Sequence, residues 1–146
     1  MPGVNLRIEV QLNNAGSMAQ ELTALLGQVV RASAFMVEGH AKGFSRVDTG
    51  AMRAGWYVAL FGGGGDYSQA VGEARGKAKP DTHFVGPTLP TNPLEAIIGN
   101  CVEYALYNEM GTVRMSAQPM AAPAVTIVEP QFKAAIEAAV KKAAGG

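Results

Sequence analysis

The segment "WYVALF", residues 56–61, places the strongest constraint on the fold. It is typical of a β-strand, and side chains on both of its faces are apolar. An antiparallel sheet usually leaves one face in contact with water, so this strand needs two covers. The helix predicted before it supplies one cover. The other is either a further segment of the same chain or a second subunit, and the sequence leaves both open.

Two further segments have strand character. Residues 4–12, "VNLRIEVQL", alternate between apolar and polar side chains, which predicts a strand with one wet face. Residues 95–105, "EAIIGNCVEYA", are also predicted to form a strand. Together with residues 56–61 they favour an antiparallel sheet.

Two helices are expected to cover this sheet. Ser17 and Gln20 form a capping-box pattern, and the helix after them is predicted to run to about Glu38, with Gly39 as its stop. Its apolar stripe comprises Met18, Leu22, Leu25, Val29, Ala32 and Met36, widened by Leu26, Val30 and Val37. Residues 129–142, "EPQFKAAIEAAVKK", predict a second helix. The fold class is therefore α+β, with both helices packed on one face of an antiparallel sheet in a single domain, residues 1–146.

The segment between the last two strands is predicted to be a long loop. Residues 62–93 contain four consecutive glycines, Gly62 to Gly65, and four prolines. Glycine and proline interrupt regular structure, and a long loop within a compact domain is usually functional or disordered. We therefore expect residues 62–93 to be mobile in the free protein.

Composition restricts the function. Charged residues make up 16% of the 146 residues, below the quarter or so that is usual, which indicates that a partner covers part of the surface. Lys plus Arg and Asp plus Glu are balanced at 12 each, so no overall field attracts nucleic acid. Cys101 is the single cysteine and cannot form an internal disulfide. No signal peptide and no membrane span are predicted.

Motifs for catalysis or metal binding are incomplete. His40 and His83 have no ligand at metal-binding spacing. The glycines at 62–65 lack the Gly-Lys-Ser/Thr of a phosphate-binding loop. The segment "GFSRV", residues 43–47, half-resembles a nucleophile elbow around Ser45, but the second glycine of that motif is missing. No histidine is well placed to act as a base for Ser45. We expect no enzyme activity, no cofactor and no metal, and a small hydrolase that uses Glu103 and Glu109 is the disfavoured alternative.

The segment "YALYNEMGT", residues 104–112, is predicted to form a structural corner. Tyr104 and Tyr107 share a face of a short helical turn that Gly111 can end with a positive φ. Glu109 can accept hydrogen bonds from backbone N–H groups or pair with Arg53 or Arg114. Downstream, Pro119 and Pro123 in "AQPMAAPA", residues 117–124, fix the direction of the chain into the last helix.

In order and spacing, "VDTGAMR" at residues 47–53, "YALYNEMGT" and "AQPMAAPA" resemble the tail-component family of long-tailed bacteriophages, whose members include tail-completion, neck and head–tail joining proteins. The resemblance covers residues 15–142. The chain departs from the family pattern at Asn108, Met110 and Met120, in the strand at 4–12 and in the loop at 62–93. The structural and interface candidates that the motifs and the resemblance indicate are Thr49, Gly50, Arg53, Trp56, Tyr57, Tyr104, Tyr107, Glu109, Gly111, Thr112, Pro119 and Pro123.

The resemblance implies a virion protein of the phage neck, assembled in the host cytoplasm. It would form a homo-oligomeric ring, six-fold like the tail, that joins the tail terminator and tail tube to the head connector. Two alternatives stay open. One is a connector or stopper protein on the head side. The other is a channel module in which Arg75, Lys77 and Lys79 contact DNA phosphates weakly, although the neutral net charge weighs against tight binding.

Overall fold

A computed structural model of the protein describes residues 3–9, 19–46 and 49–145. Within these ranges the chain forms three strands and five helices. In chain order they are β1 (Asn5–Glu9), α1 (Ala19–Phe44), α2 (Ala51–Ala54), β2 (Trp56–Leu60), α3 (Tyr67–Lys77), β3 (Glu95–Asn100), α4 (Ala105–Met110) and α5 (Ala121–Ala143). The predicted positions Val10 to Leu12, Ser17, Met18, Val47 and Asp48 lie outside the described residues.

The sheet is antiparallel, with the order β1-β3-β2. The central strand β3 is buried along its whole length, because it has a strand on each side and helices over both faces. Ile98 lies opposite both Leu6 of β1 and Val58 of β2. This register places alternate residues of β2 and β3 in two separate cores, whereas β1 contributes Leu6 and Ile8 to one core and exposes its other face, as predicted for a strand with one wet face.

The first core lies between the sheet and the two long helices. Trp56, Val58 and Ile98 point into it, and Val30 and Val37 of α1 pack against them. α5 packs along α1 and adds Ala124 and Val128 to the same core. The predicted α+β class, with both long helices on one face of an antiparallel sheet, is confirmed.

The second core lies on the opposite face of the sheet, under α3. Tyr57, Ala59 and Ile97 contact Ala70 and Ala74, which recur four residues apart on one side of α3. The second cover of β2 is therefore a segment of the same chain. The alternative in which a second subunit covers this strand is wrong for Trp56 to Leu60, and Phe61 is the half-exposed residue beyond the strand.

The prediction of one long loop at 62–93 was wrong in its middle. α3 occupies residues 67–77, and its last turn carries Arg75 and Lys77. The glycines of this helix, Gly72 and Gly76, are exposed. They therefore lower the helix propensity of the segment but do not disturb the side of α3 that packs on the sheet. Outside α3, the segment from 78 to 93 contains no strand or helix and forms one isolated bridge, between Phe84 and Val102.

Several predicted boundaries also need correction. α1 continues through Gly39 to Phe44, and its most buried apolar residues include Leu26, Val30 and Val37, whereas Met36 is partly exposed. The third strand ends at Asn100, after which the chain turns into α4. α5 begins at Ala121 rather than near residue 129 and contains Pro130 in its interior. Among the described residues, no helix has the length and apolar character to cross a membrane.

Candidate functional site

Glu109, near the end of α4, binds the first turn of α5. Its Oε1 accepts hydrogen bonds from the N–H groups of Met120 and Ala121, both at 2.9 Å, and its Oε2 accepts one from Ala122 at 3.2 Å. The first N–H groups of a helix have no partner within the helix, and the helix dipole favours a negative charge there. Of the two partners predicted for Glu109, the structure contains the backbone donors and not Arg53 or Arg114.

The loop between α4 and α5 is held by backbone hydrogen bonds. Gly111 has φ 77° and donates its N–H to the carbonyl of Tyr107 at 2.8 Å, as the predicted positive-φ stop requires. A Cβ at this position would lie 2.7 Å from the nitrogen of Ala117, so the loop also needs glycine for space. Thr112 donates its N–H to the carbonyl of Met115 at 2.8 Å and accepts the Arg114 N–H at its hydroxyl.

The two predicted prolines lie at the start of α5. Pro119 is exposed and lies directly before Met120, the N-cap residue of α5. Pro123 lies in the first turn, where its missing N–H costs no helical hydrogen bond. The carbonyl of Asn108 accepts the Gln118 N–H at 2.7 Å. This bond connects α4 directly to the residues that precede α5. We call residues 104–123 the corner.

The corner presents apolar side chains to solvent. Met110 is 72% exposed and Val113 is fully exposed. Tyr104 is also exposed, at 37%. Because the loop that carries Val113 is fixed by hydrogen bonds at both ends, these side chains are displayed from a defined backbone rather than from a free tail.

The motif around Thr49 and the tyrosines of the corner meet in one open cleft. Thr49, Tyr104 and Tyr107 line it, and its volume is about 470 Å³. The remaining lining residues are polar or charged, namely Lys79, Asp81, Thr82, His83 and Glu103. Thr49 accepts the Ala51 N–H at its hydroxyl, and Gly50 adopts φ 91° before α2. Two of the three segments that carry the resemblance, residues 47–53 and 104–112, are therefore neighbours in space, while Arg53 is exposed on α2 outside this lining.

Trp56 and Tyr57 are not surface residues. Trp56 is fully buried and donates its indole N–H to the hydroxyl of Ser45 at 2.7 Å. Tyr57 is buried on the other face, where its hydroxyl donates to Asn5 Oδ1 at 3.3 Å and accepts the Thr88 N–H at 3.0 Å. Their prediction as interface candidates was wrong, because both faces of β2 are covered within the chain.

Ser45 has a structural role that its sequence context did not indicate. Its buried hydroxyl donates to the carbonyl of Ala41 at 2.7 Å while it accepts the indole of Trp56. A hydroxyl group committed to these two bonds holds the end of α1 against β2. No histidine takes part in these bonds.

Asn100 is another buried polar residue that sequence reasoning missed. Its Nδ2 donates to the carbonyl of Met52 at 2.8 Å, and its Oδ1 accepts the Val102 N–H at 2.9 Å. The signal available in the sequence was an amide at the end of an apolar strand. Asn100 links α2 to the turn that leads into α4, and so sets the distance between the two motif segments.

Glu38 is a buried carboxylate on α1. Its Oε2 has no hydrogen-bond partner, and Lys42 lies 3.9 Å from its Oε1. Burial, together with the nearby Asp66 carboxyl, raises the pKa of Glu38 to about 8. Glu38 lay inside the predicted helix, but nothing in its sequence spacing distinguished it from a solvated glutamate.

The described residues include one free cysteine and no cluster of metal ligands. No group of three or more His, Cys, Asp or Glu side chains in this part of the chain could hold a metal ion. Burial raises the pKa of the Cys101 thiol to about 11, which keeps it in the less reactive protonated form.

Comparison of the chain with protein-family models, with curated proteins and with solved structures finds no significant match.

Proposed function

We propose that this chain is a non-enzymatic structural protein of the neck or upper tail of a long-tailed phage, and that it forms a ring that joins the tail to the head connector. The observation that carries the proposal is the corner. The residues that resemble the phage family, including Glu109, Gly111 and Thr112, fold a loop into a fixed shape that displays Met110 and Val113. Apolar side chains that are exposed next to one another are typical of protein-binding surfaces.

The low content of charged residues, 16% of the chain, also supports a surface that a partner covers. In this proposal the corner, rather than Trp56 to Phe61, contacts the neighbouring subunit or the tail terminator. A head-side connector or stopper would use the same surface against a different ring.

The DNA-channel alternative has weaker support. The guanidinium of Arg75 lies 4.8 Å from the centroid of the Phe84 ring, which is a cation–π contact within the subunit. The Lys77 side chain packs close to Gly50. Both residues therefore have contacts within the fold, and no observation favours phosphate as their ligand.

Electron microscopy tests the proposal in two ways. Negative staining of the purified protein, alone and mixed with tails from a mutant that lacks it, should show rings or a density at the upper end of the tail. Interruption of its gene in the phage that encodes it should leave filled heads and free tails unjoined. Normal particles after interruption of the gene would overturn the proposal.

A further inference from the structure

The outer edge of β2 is closed by the segment that follows this strand. The N–H of Val58 donates to Asp66 Oδ1 at 2.7 Å, and the carbonyl of Val58 accepts the Asp66 N–H at 3.1 Å. Gly65 approaches so closely that a Cβ there would lie 2.0 Å from the Val58 oxygen. Because an open strand edge can pair with another strand, this closure protects the sheet.

Asp66 is the N-cap residue of α3, but its carboxylate does not cap that helix. An aspartate in this position usually accepts an N–H from the first turn of its own helix. The Asp66 side chain makes no such bond and turns instead to Val58. The same carboxyl group lies within hydrogen-bonding reach of the Glu38 carboxyl on α1. Asp66 therefore connects α3, the edge of β2 and α1.

The Glu38 carboxyl needs a proton to bond to Asp66. Its side chain is only 8% exposed, and its Oε2 has no hydrogen-bond partner. Two ionised carboxylates are both acceptors, and a poorly solvated site strengthens the repulsion between them. A protonated Glu38 can instead donate its O–H to Asp66, which already acts as the acceptor for Val58. The proton is therefore assigned to Glu38, in agreement with its raised pKa of about 8.

Two cations of α1 lie near the acid pair, and neither replaces this proton. Lys42 Nζ is 3.9 Å from Glu38 Oε1, at the limit of an ion pair, and the lysine side chain is 37% exposed. Arg31 reaches the glycine segment, since a Cβ at Gly64 would lie 3.9 Å from its guanidinium. The guanidinium also lies over the ring of Phe35.

The other described elements that pack on α1 direct their charged groups elsewhere. Residues 56–60 of β2 include no charged side chain. On β3 the charged residue is Glu95, which is bonded to Arg7 of β1 on the far side of the sheet. Arg53 of α2 and the charged residues of α5 are exposed. The electrostatics of Glu38 are therefore dominated by burial, Asp66 and Lys42.

We propose that a proton held between Glu38 and Asp66 acts as a latch that keeps residues 62–66 closed over the edge of β2. With Glu38 protonated, its O–H holds the Asp66 carboxylate in place against Val58. When Glu38 ionises, the two carboxylates repel each other, and Asp66 moves away from Val58. The four glycines at 62–65 leave this segment free to rearrange, and its opening exposes the N–H and carbonyl of Val58.

The latch weakens as the pH rises. The pKa of Glu38 is raised from 4.5 to about 8 in the folded protein, so the closed state holds a proton that the open state releases. The equilibrium for closing therefore falls between these two values, by up to roughly tenfold per pH unit, and levels off above them. The latch is a property of the single chain, so it is tested on the isolated protein and does not depend on the proposed neck function.

The Val58 N–H reports the latch directly, because it bonds to Asp66 rather than to a neighbouring strand. Hydrogen exchange detected by NMR gives the protection factor of this N–H, in which the intrinsic pH dependence of exchange is already divided out. In the native chain the factor should fall about tenfold or more from about pH 6 to about pH 8. Dilute urea should change it little, because urea promotes global unfolding far more than a small local opening.

Two variants remove the titrating contact and keep a hydrogen bond in its place. Glu38→Gln can donate its amide N–H to Asp66 at every pH. Asp66→Asn can donate to an ionised Glu38 while its oxygen still accepts the Val58 N–H. In both variants the fall in protection between these pH values should shrink to less than about twofold. Glu73→Gln, on the exposed side of α3, is the matched control and should keep the native pH dependence.

Three results would overturn the proposal. The first is a native protection factor at Val58 that does not change with pH. The second is a native pH dependence that persists in both Glu38→Gln and Asp66→Asn. The third is exchange at Val58 that urea accelerates as strongly as exchange at Ile98 in the central strand, because this would mean that the edge opens only when the whole domain unfolds.

Discussion

Glu109 shows how one side chain orders the corner. Its carboxylate replaces the missing partners of three N–H groups at the start of α5, and it does so from α4, eleven or more residues earlier in the chain. A local capping residue would hold only the helix that it begins. Glu109 instead fixes α4 relative to α5, and therefore also the exposed loop between them.

Glu109→Gln should lower the free energy of unfolding by about 1–3 kcal/mol, the range for a charge-assisted hydrogen bond that is weakened. The amide keeps one acceptor oxygen but puts an NH₂ group near one of the three donors. Glu109→Ala should cost more, since all three donors lose their acceptor. Urea unfolding measures both values, and Glu137→Gln, exposed on α5, is the control. Unchanged stability in Glu109→Gln together with lost infectivity would instead indicate a direct role in chemistry or partner binding.

Glu38 predicts a pH dependence of stability. Its pKa is raised from 4.5 to about 8 in the folded protein, so the folded state holds a proton that the unfolded state releases. This contribution to stability is complete below about pH 4.5 and is lost as the pH rises to about 8. The slope can reach about 1.4 kcal/mol per pH unit between these values.

Glu38→Gln isolates this contribution, because glutamine imitates the protonated acid at every pH. The difference in unfolding free energy between the variant and the native chain should be small near pH 5 and should favour the variant increasingly up to pH 8. Urea unfolding at several pH values measures it. A difference that does not change with pH would show that Glu38 is ionised in the folded protein throughout this range.

At the scale of elements, apolar patterning predicted the parts that have large side chains. The three strands and the long helix α1 contain clear runs of Val, Ile, Leu and aromatic residues. α3 was missed because its packed side consists chiefly of small alanines, Ala70 and Ala74, among glycines. α5 was predicted too short because Pro130 is typical of a helix start, whereas here it lies in the interior.

The sequence also predicted one part of the candidate site and missed another. Spacing located the turn at Gly111, which depends on local backbone. It also indicated Glu109 as an acceptor of backbone N–H groups, although its donors lie 11 to 13 residues further along the chain. Tyr57 was misplaced because its burial depends on α3, which the sequence concealed, whereas Trp56 lies in the first core under the two long helices. The bonds of Ser45 and Asn100 join residues that are distant in sequence, across 11 and 48 positions, and no local pattern specifies such pairs.

α3 should be protected from hydrogen exchange in the isolated protein. Its backbone is helical and Ala74 is fully buried against the sheet, so opening it exposes core surface. Residues 87–93, which contain no regular element, should exchange faster. Mass-spectrometric exchange separates the two segments. Equal, rapid exchange across 62–93 would restore the original expectation of a single mobile loop.

Ala74→Leu should destabilise the protein by about 1–3 kcal/mol, because Ala74 is fully buried in the second core and a larger side chain does not fit there without displacement. Glu73→Leu is the matched control on the exposed side of the same helix and should change the unfolding free energy by less than about 0.5 kcal/mol. A similar, small effect of both substitutions in urea unfolding would show that α3 contributes little to the core.

At the scale of the whole molecule, the fold separates residues that maintain stability from residues available to a partner. β2 lies between two cores and has no free face. The exposed large apolar residues instead lie on the outer sides of α1 and α5, in loops and at element ends, and Met110 and Val113 are the most exposed of those on the corner. This division means that loss of folding and loss of assembly should follow from different substitutions.

The combined variant Met110→Ser and Val113→Asp tests this division. Both side chains are exposed, so the unfolding free energy should stay within about 0.5 kcal/mol of the native value. If the corner contacts a partner, the variant should fail to form rings or to attach to tails in electron micrographs, because a charge in an apolar contact loses its hydration without a compensating bond. Trp56→Ala is the opposite control: it removes a buried side chain and should cost about 3–5 kcal/mol in stability, with assembly lost only to the extent that the protein unfolds. Normal attachment by the stable corner variant would exclude the corner as the joining surface, whatever the protein's place in the particle.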